Sequence, residues 1–105
     1  MPAEDRLVEL GLTLPEATKL SPGVSIPFQW VRTRRDRAFV SGHGALSADG
    51  SPAGPFGKVP SKVSLEEAQD SALLATLAIF SSLKRELGTL DRVTAWLTVQ
   101  GFVNA

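Results

Sequence analysis

The segment from Ser64 to Leu87 constrains the fold more than any other part of the chain. Ser64 and Glu67 form the S-x-x-E capping box, in which each side chain satisfies a backbone N–H at a helix start. Ala68, Ala72, Ala75, Ile79, Leu83 and Leu87 then recur every three or four residues, with Leu73, Leu77 and Phe80 widening the same stripe. Lys84 and Arg85 suit the negative end of the helix dipole, and Gly88 supplies a left-handed stop. A helix of this length with so wide an apolar stripe needs a second layer, and its alanines allow a sheet to approach closely.

The flanking segments supply strand patterns. From Val24, the residues Ile26, Phe28 and Trp30 alternate onto one face, which Arg32 and Arg34 extend. Arg35, Asp36 and Arg37 read as a tight turn. A return strand from Arg37 to Leu46 places Phe39, Ser41, His43 and Ala45 opposite Ala38, Val40, Gly42, Gly44 and Leu46. Gly42 and Gly44 mark a bulge, a twist or the close approach of a backbone or ligand. The Gly- and Pro-rich stretch Ser47 to Ser61 is a loop with a turn at Asp49-Gly50. Leu90 to Val103 alternates Val93, Ala95, Leu97 and Val99 against Thr94, Trp96, Thr98 and Gln100, which predicts a third strand. Near the N-terminus, Ala3 to Leu10 predicts a short helix stopped by Gly11, and Thr13 to Gly23 an extended surface segment. The expected class is α/β of the α+β kind, one domain over residues 1–105, with an antiparallel or mixed sheet covered on one face by the long helix.

Composition narrows the function classes. With 105 residues and 43% apolar content the chain can build one modest core. Eleven basic and eleven acidic residues cancel, so no global field draws it to nucleic acid or an anionic membrane. There is no cysteine, which removes thiolate and disulfide chemistry, and the single histidine rules out a multi-histidine metal site within one chain. The N-terminal residues lack the basic start and apolar core of a secretory signal, and no apolar run is long enough to span a membrane. A cytoplasmic protein is expected.

Few residues invite a chemical role. Ser41 and His43 share a strand face, as a nucleophile and base would, yet their Cα atoms would lie about 6.5 Å apart. No nucleophile elbow surrounds the serine and no third group orients the imidazole. They read as a hydrogen-bonded strand serine and a half-buried histidine. Arg32, Arg34, Arg35 and Arg37 near Phe28 and Trp30 have the elements of a single-strand RNA surface, but overall neutrality and the lack of a catalytic acid and base favour a solvated hairpin tip guarded against edge pairing. Glu66, Glu67 and Asp70 are accounted for by capping and the helix dipole rather than a metal. The Gly50–Gly57 stretch has neither P-loop nor dinucleotide spacing.

Several strings in this order resemble a known family. They are LVELGLTLPE at Leu7–Glu16, FVSGHGAL at Phe39–Leu46, GKV at Gly57–Val59, EEAQDSA at Glu66–Ala72, LKRELGTLDRV at Leu83–Val93 and WLTVQGFVN at Trp96–Asn104. From Leu7 to Asn104 the chain is similar to the Rid family, also called YjgF/YER057c/UK114 and once described as endoribonuclease L-PSP. The resemblance implies a chorismate mutase-like fold, a homotrimer, and ligand clefts between subunits. It also implies hydrolysis of enamine and imine intermediates such as 2-aminoacrylate to a 2-keto acid and ammonia, without a cofactor.

Carried over by position, the resemblance makes Phe28, Ser41, Gly42, His43 and Asn104 the candidate substrate-binding residues. Ser41 would border the pocket and Gly42 would leave room for a ligand. Phe28 stands where deaminases often carry tyrosine, and His43 where they often carry glutamine. Asn104 would only line the cleft. The family's carboxylate-anchoring arginine and its later glutamate have no counterpart before Ala105, so the domain is expected to be incomplete at its C-terminus. With a sheet edge and part of the stripe uncovered, an isolated 105-residue form is expected to be marginal or strongly oligomeric. Two other readings are a non-catalytic small carboxylate or keto-acid binder, and an RNA-binding or endoribonuclease protein acting through the arginine hairpin.

Overall fold

A computed structural model describes residues 2–105 as a mixed α+β structure: a long helix, a two-stranded antiparallel sheet and a short N-terminal helix. The long helix, α2, runs Leu65–Leu87, and the expected cap is in place. The Glu67 N–H donates to Ser64 Oγ at 3.1 Å and the Ser64 N–H to Glu67 Oε1 at 3.0 Å. A Ser cap of this kind contributes about 1 kcal/mol. Gly88, at φ 87°, ends the helix with its N–H on the Lys84 carbonyl.

The apolar stripe is buried over only part of its length. Leu77, Ala78 and Leu83 are buried, whereas Ala72 and Leu73 are exposed. The two strands are too short to cover more. The first, β1, spans Val31–Arg34 and the second, β2, spans Arg37–Val40, with Val31 opposite Val40 and Arg34 opposite Arg37. Arg35 turns the chain at φ 56°, a conformation a non-glycine residue enters at some cost.

Three strand expectations are corrected. The first strand starts at Val31 rather than Val24, because Pro27 has no N–H to give a ladder and restricts the residue before it. The return strand stops at Val40, where its partner ends. One more bond, Ser41 N–H to the Trp30 carbonyl at 2.9 Å, holds the start of the SGHG segment. The third strand is absent. Leu90–Arg92 is instead a 3₁₀ turn whose N-cap, Thr89, accepts from the Asp91 N–H at 3.2 Å. Residues 93–105 form no strand; the Val59 N–H donates to the Asn104 carbonyl at 2.8 Å. Alternation favours a strand only where a neighbouring edge accepts it.

The main core is small. Val31 of β1, Leu83 of α2 and Leu90 of the 3₁₀ turn form its centre, with Leu7, Ile79, Phe80 and Leu87 packed around them. Leu7 belongs to the N-terminal helix, α1, which spans Ala3–Glu9. This helix is fixed at a distance along the chain. Glu4 Oε1 accepts from the Leu90 N–H at 2.7 Å, and Asp91 Oδ1 accepts from the Ala3 N–H at 2.9 Å. The Leu90 N–H, first among several groups, holds the Glu4 carboxyl below its ordinary value.

Candidate functional site

The SGHG segment leaves β2 and passes beside the C-terminal half of α2, where Ser81 and Ser82 interrupt the apolar sequence. Both serines are buried. A buried hydroxyl is tolerated only with partners, and both have them. Ser81 Oγ donates to the Pro15 carbonyl at 2.6 Å and accepts from Arg85 Nη1 at 2.6 Å. Ser82 Oγ lies 2.7 Å from His43 Nε2 and accepts from Arg85 Nη2 at 3.0 Å.

The other imidazole nitrogen fixes the tautomer. His43 Nδ1 lies 2.6 Å from the Ser41 carbonyl, which can only accept. The proton of a neutral ring therefore sits on Nδ1, and Nε2 accepts from the Ser82 hydroxyl. Burial pushes the imidazole below its usual 6.5; the bond to the Ser41 carbonyl opposes this, and the Arg85 charge adds to it. A folded-state value below the unfolded one means that the unfolded chain takes up the extra proton. The contribution to stability is thus fully present above about 6.5 and is lost as the pH falls through the lowered value. We expect the melting temperature to fall on acidification below pH 6.5, and His43→Gln to flatten that step, as read by calorimetry across the pH range. Asp49 does not overlap this window. Hydrogen bonds from Ser51 and then Lys19 hold its carboxyl down at about 2, so its contribution is lost only at far lower pH.

The nucleophile–base pair at Ser41 and His43 is not formed. The Ser41 hydroxyl donates to the Gln29 carbonyl at 2.7 Å, and His43 meets the Ser41 backbone instead of its side chain. The hydroxyl that does reach the imidazole belongs to Ser82. It is 5% exposed and lies within α2, so a substrate has no path to it.

A cleft of about 450 Å³ opens beside His43. Trp30, His43, Leu46 and Phe56 form much of its wall, and Thr18 and Ser71 bring hydroxyl-bearing side chains. The Trp30 and His43 rings lie 4.9 Å apart at 50°, and Phe28 meets Trp30 edge-on at 5.2 Å. A small hairpin closes one side: Leu46 bridges Pro52, the Ala53 N–H donates to the Ala45 carbonyl, and Asp49 and Gly50 lie at its tip. Lys19 and Glu16 hold that tip through backbone bonds to Gly50 and Ala48, and Lys19 Nζ reaches Asp49 at 3.3 Å.

The structure brings together most of the positions expected from sequence. His43 lines the cleft. Phe28 supports its wall through Trp30, Ser41 orients the imidazole through its carbonyl, and Gly42 has open space where a Cβ would stand. Asn104 is not part of it; its exposed end of the chain meets Val59. Trp30, Ser82 and Arg85 are the additions. The pair Ser81-Ser82, polar within an apolar helix, was the available sign that something polar packs there.

A larger cleft, about 720 Å³, lies between β2 and residues 93–98. Arg35, Arg37 and Arg92 line it, but Asp36 and Glu86 do too, and neither a histidine nor a serine faces it. Its mixed charges give no concentrated basic surface. Among the described residues, no group of three His, Asp or Glu side chains is placed to hold a metal ion, and no helix is long and apolar enough to cross a membrane.

Fold and site together define an α+β fold with a hydrogen-bonded histidine at the edge of a mostly apolar cleft. No family model, curated protein or solved structure matches the chain.

Proposed function

We propose that this chain is a Rid-type protein that binds a small imine or 2-keto acid beside the SGHG segment and hydrolyses enamine or imine intermediates to 2-keto acids and ammonia. One observation carries the reading: a ligand-sized cleft opens at the segment to which the resemblance assigns the ligand, with His43 in its wall. In the hydrolysis, water adds to the C=N carbon, the new C–O bond becomes the ketone, and nitrogen leaves as ammonia. Electrons balance without an oxidant or a cofactor. Among the described residues no Arg or Lys lines this cleft, and the family's anchoring arginine has no counterpart in this sequence, so the carboxylate anchor would have to be a different basic side chain, from a neighbouring copy in a homotrimer of chorismate mutase-like subunits.

A second reading is non-catalytic keto-acid binding. It is favoured by the hydrogen bonds that engage both His43 nitrogens, because no other titratable side chain lines the cleft to handle a proton. Both readings are tested by generating 2-aminoacrylate in situ with a serine dehydratase and following pyruvate release, alongside calorimetric titration with pyruvate. Release faster than in buffer supports the deaminase. Binding without acceleration selects the binder, and the absence of both acceleration and binding overturns both readings.

A further inference from the structure

The wall of the His43 cleft specifies more than its size. Among the described residues it carries no Asp, Glu, Lys or Arg. An ionised group drawn fully inside would lose water without gaining a charge partner. The single titratable side chain, His43, has one nitrogen on the Ser41 carbonyl and the other on Ser82, so it offers no free proton. Apart from the hydroxyl-bearing Thr18 and Ser71, what the wall offers is apolar: the Trp30 indole, Leu46, Pro52, Pro55 and Phe56.

Phe56 is 74% exposed, yet it lines the cleft and lies over Gly54. A Cβ at Gly54 would come within 3.3 Å of the Phe56 ring, so Gly54 lets that ring occupy its place. A large aromatic side chain left so open to water, directly at the mouth of an apolar cleft, is suited to covering an apolar ligand group.

We infer that the ligands of this site carry a branched or aromatic side chain that seats against Trp30 and Phe56, with any carboxylate left at the mouth. The inference rests on the reading of this cleft as the ligand site, and it makes Phe56 and Trp30 the residues that set specificity. A two-carbon or three-carbon ligand would leave most of the apolar wall in contact with water. Each methylene buried there improves affinity by roughly fourfold at most, so a branched side chain is preferred over a methyl group by about tenfold or more.

The test uses Trp96→Phe, a conservative change at a ring stacked on Phe80, which leaves Trp30 as the only tryptophan. Its indole N–H resonance is followed while pyruvate, 4-methyl-2-oxopentanoate and the uncharged ketone 4-methyl-2-pentanone are titrated. The expected result is a Trp30 shift with the branched keto acid at a Kd about tenfold or more below that of pyruvate. Phe56→Ala, at an exposed position, and Gly54→Ala, which crowds the ring, each weaken the branched ligand several-fold and spare pyruvate. Equal affinity for the two keto acids leaves the small-ligand function standing and overturns the side-chain preference. A Trp30 shift with the ketone alone keeps the apolar preference and overturns the imine and keto-acid function. No shift with any probe overturns the inference.

Discussion

Leu83→Ala is expected to lower stability by about 3 kcal/mol, within the range of roughly 2–5 kcal/mol found when a buried leucine is cut to alanine. Leu83 is 1% exposed and is the largest fully buried side chain among the described residues. It joins Val31 of β1 to Leu90 of the 3₁₀ turn, so one deletion opens the contact between all three elements. The cavity cannot be filled readily. The neighbouring helix positions Ser81 and Ser82 are fixed by hydrogen bonds, and a two-stranded sheet offers no further side chains to slide inward. A domain of this size has a total stability of about 5–15 kcal/mol, so the loss takes a large share of it. Urea unfolding followed by far-UV circular dichroism reads the change, and a loss of unfolding free energy below about 0.5 kcal/mol would contradict the placement of this core.

Gly50→Ala is expected to cost as much through a different cause. Gly50 is buried at φ 87°, in the left-handed region where a Cβ costs roughly 1–2 kcal/mol. Its added Cβ would also strike the Ala17 carbonyl group, whose carbon lies 3.0 Å from the position it would take. That group is backbone and cannot rotate away. The Glu16 and Lys19 bonds to the hairpin tip would have to part, and with them one side of the His43 cleft. The expected loss is about 3 kcal/mol. Gly88→Ala is the internal control, since Gly88 has the same φ of 87° with nothing within 4 Å. It should cost only the backbone part, about 1 kcal/mol. Thermal melts of the two variants side by side separate strain from collision, and equal losses would show that the hairpin tip does not press on residues 16–17.

What was legible from sequence is what depends on near neighbours. The bounds of α2 follow from Ser64, Glu67 and Gly88, whose effects act within one helical turn. The turn at Arg35-Asp36 and the short helix before Gly11 are similarly local. The extent of the strands was not legible, because a ladder needs a partner. Val93 to Val103 alternates as a strand does, and no edge receives it. The candidate site was half legible. His43 and its glycines stood out, but Ser82 and Arg85 lie 39 and more residues further along. Their relation to His43 exists only after α2 has packed beside the SGHG segment. The apolar wall at Trp30 and Phe56 was hidden for the same reason, since the hairpin at Asp49-Gly50 sets the second against the first.

The bond between Glu4 and Leu90 gives the chain a topology that the small sheet alone would not. It spans 86 of the 105 residues, so most of the polypeptide lies within the loop it closes. Closing such a loop carries an entropic cost that one surface carboxylate cannot meet by itself, and α1, with seven residues, is too short to persist alone. The clasp therefore exists only while the Leu7, Leu83 and Leu90 packing holds beneath it. The beginning of the chain and the exit from α2 act as one cooperative unit, and exchange of the Leu90 amide with solvent becomes a gauge of global opening rather than of fraying at an end.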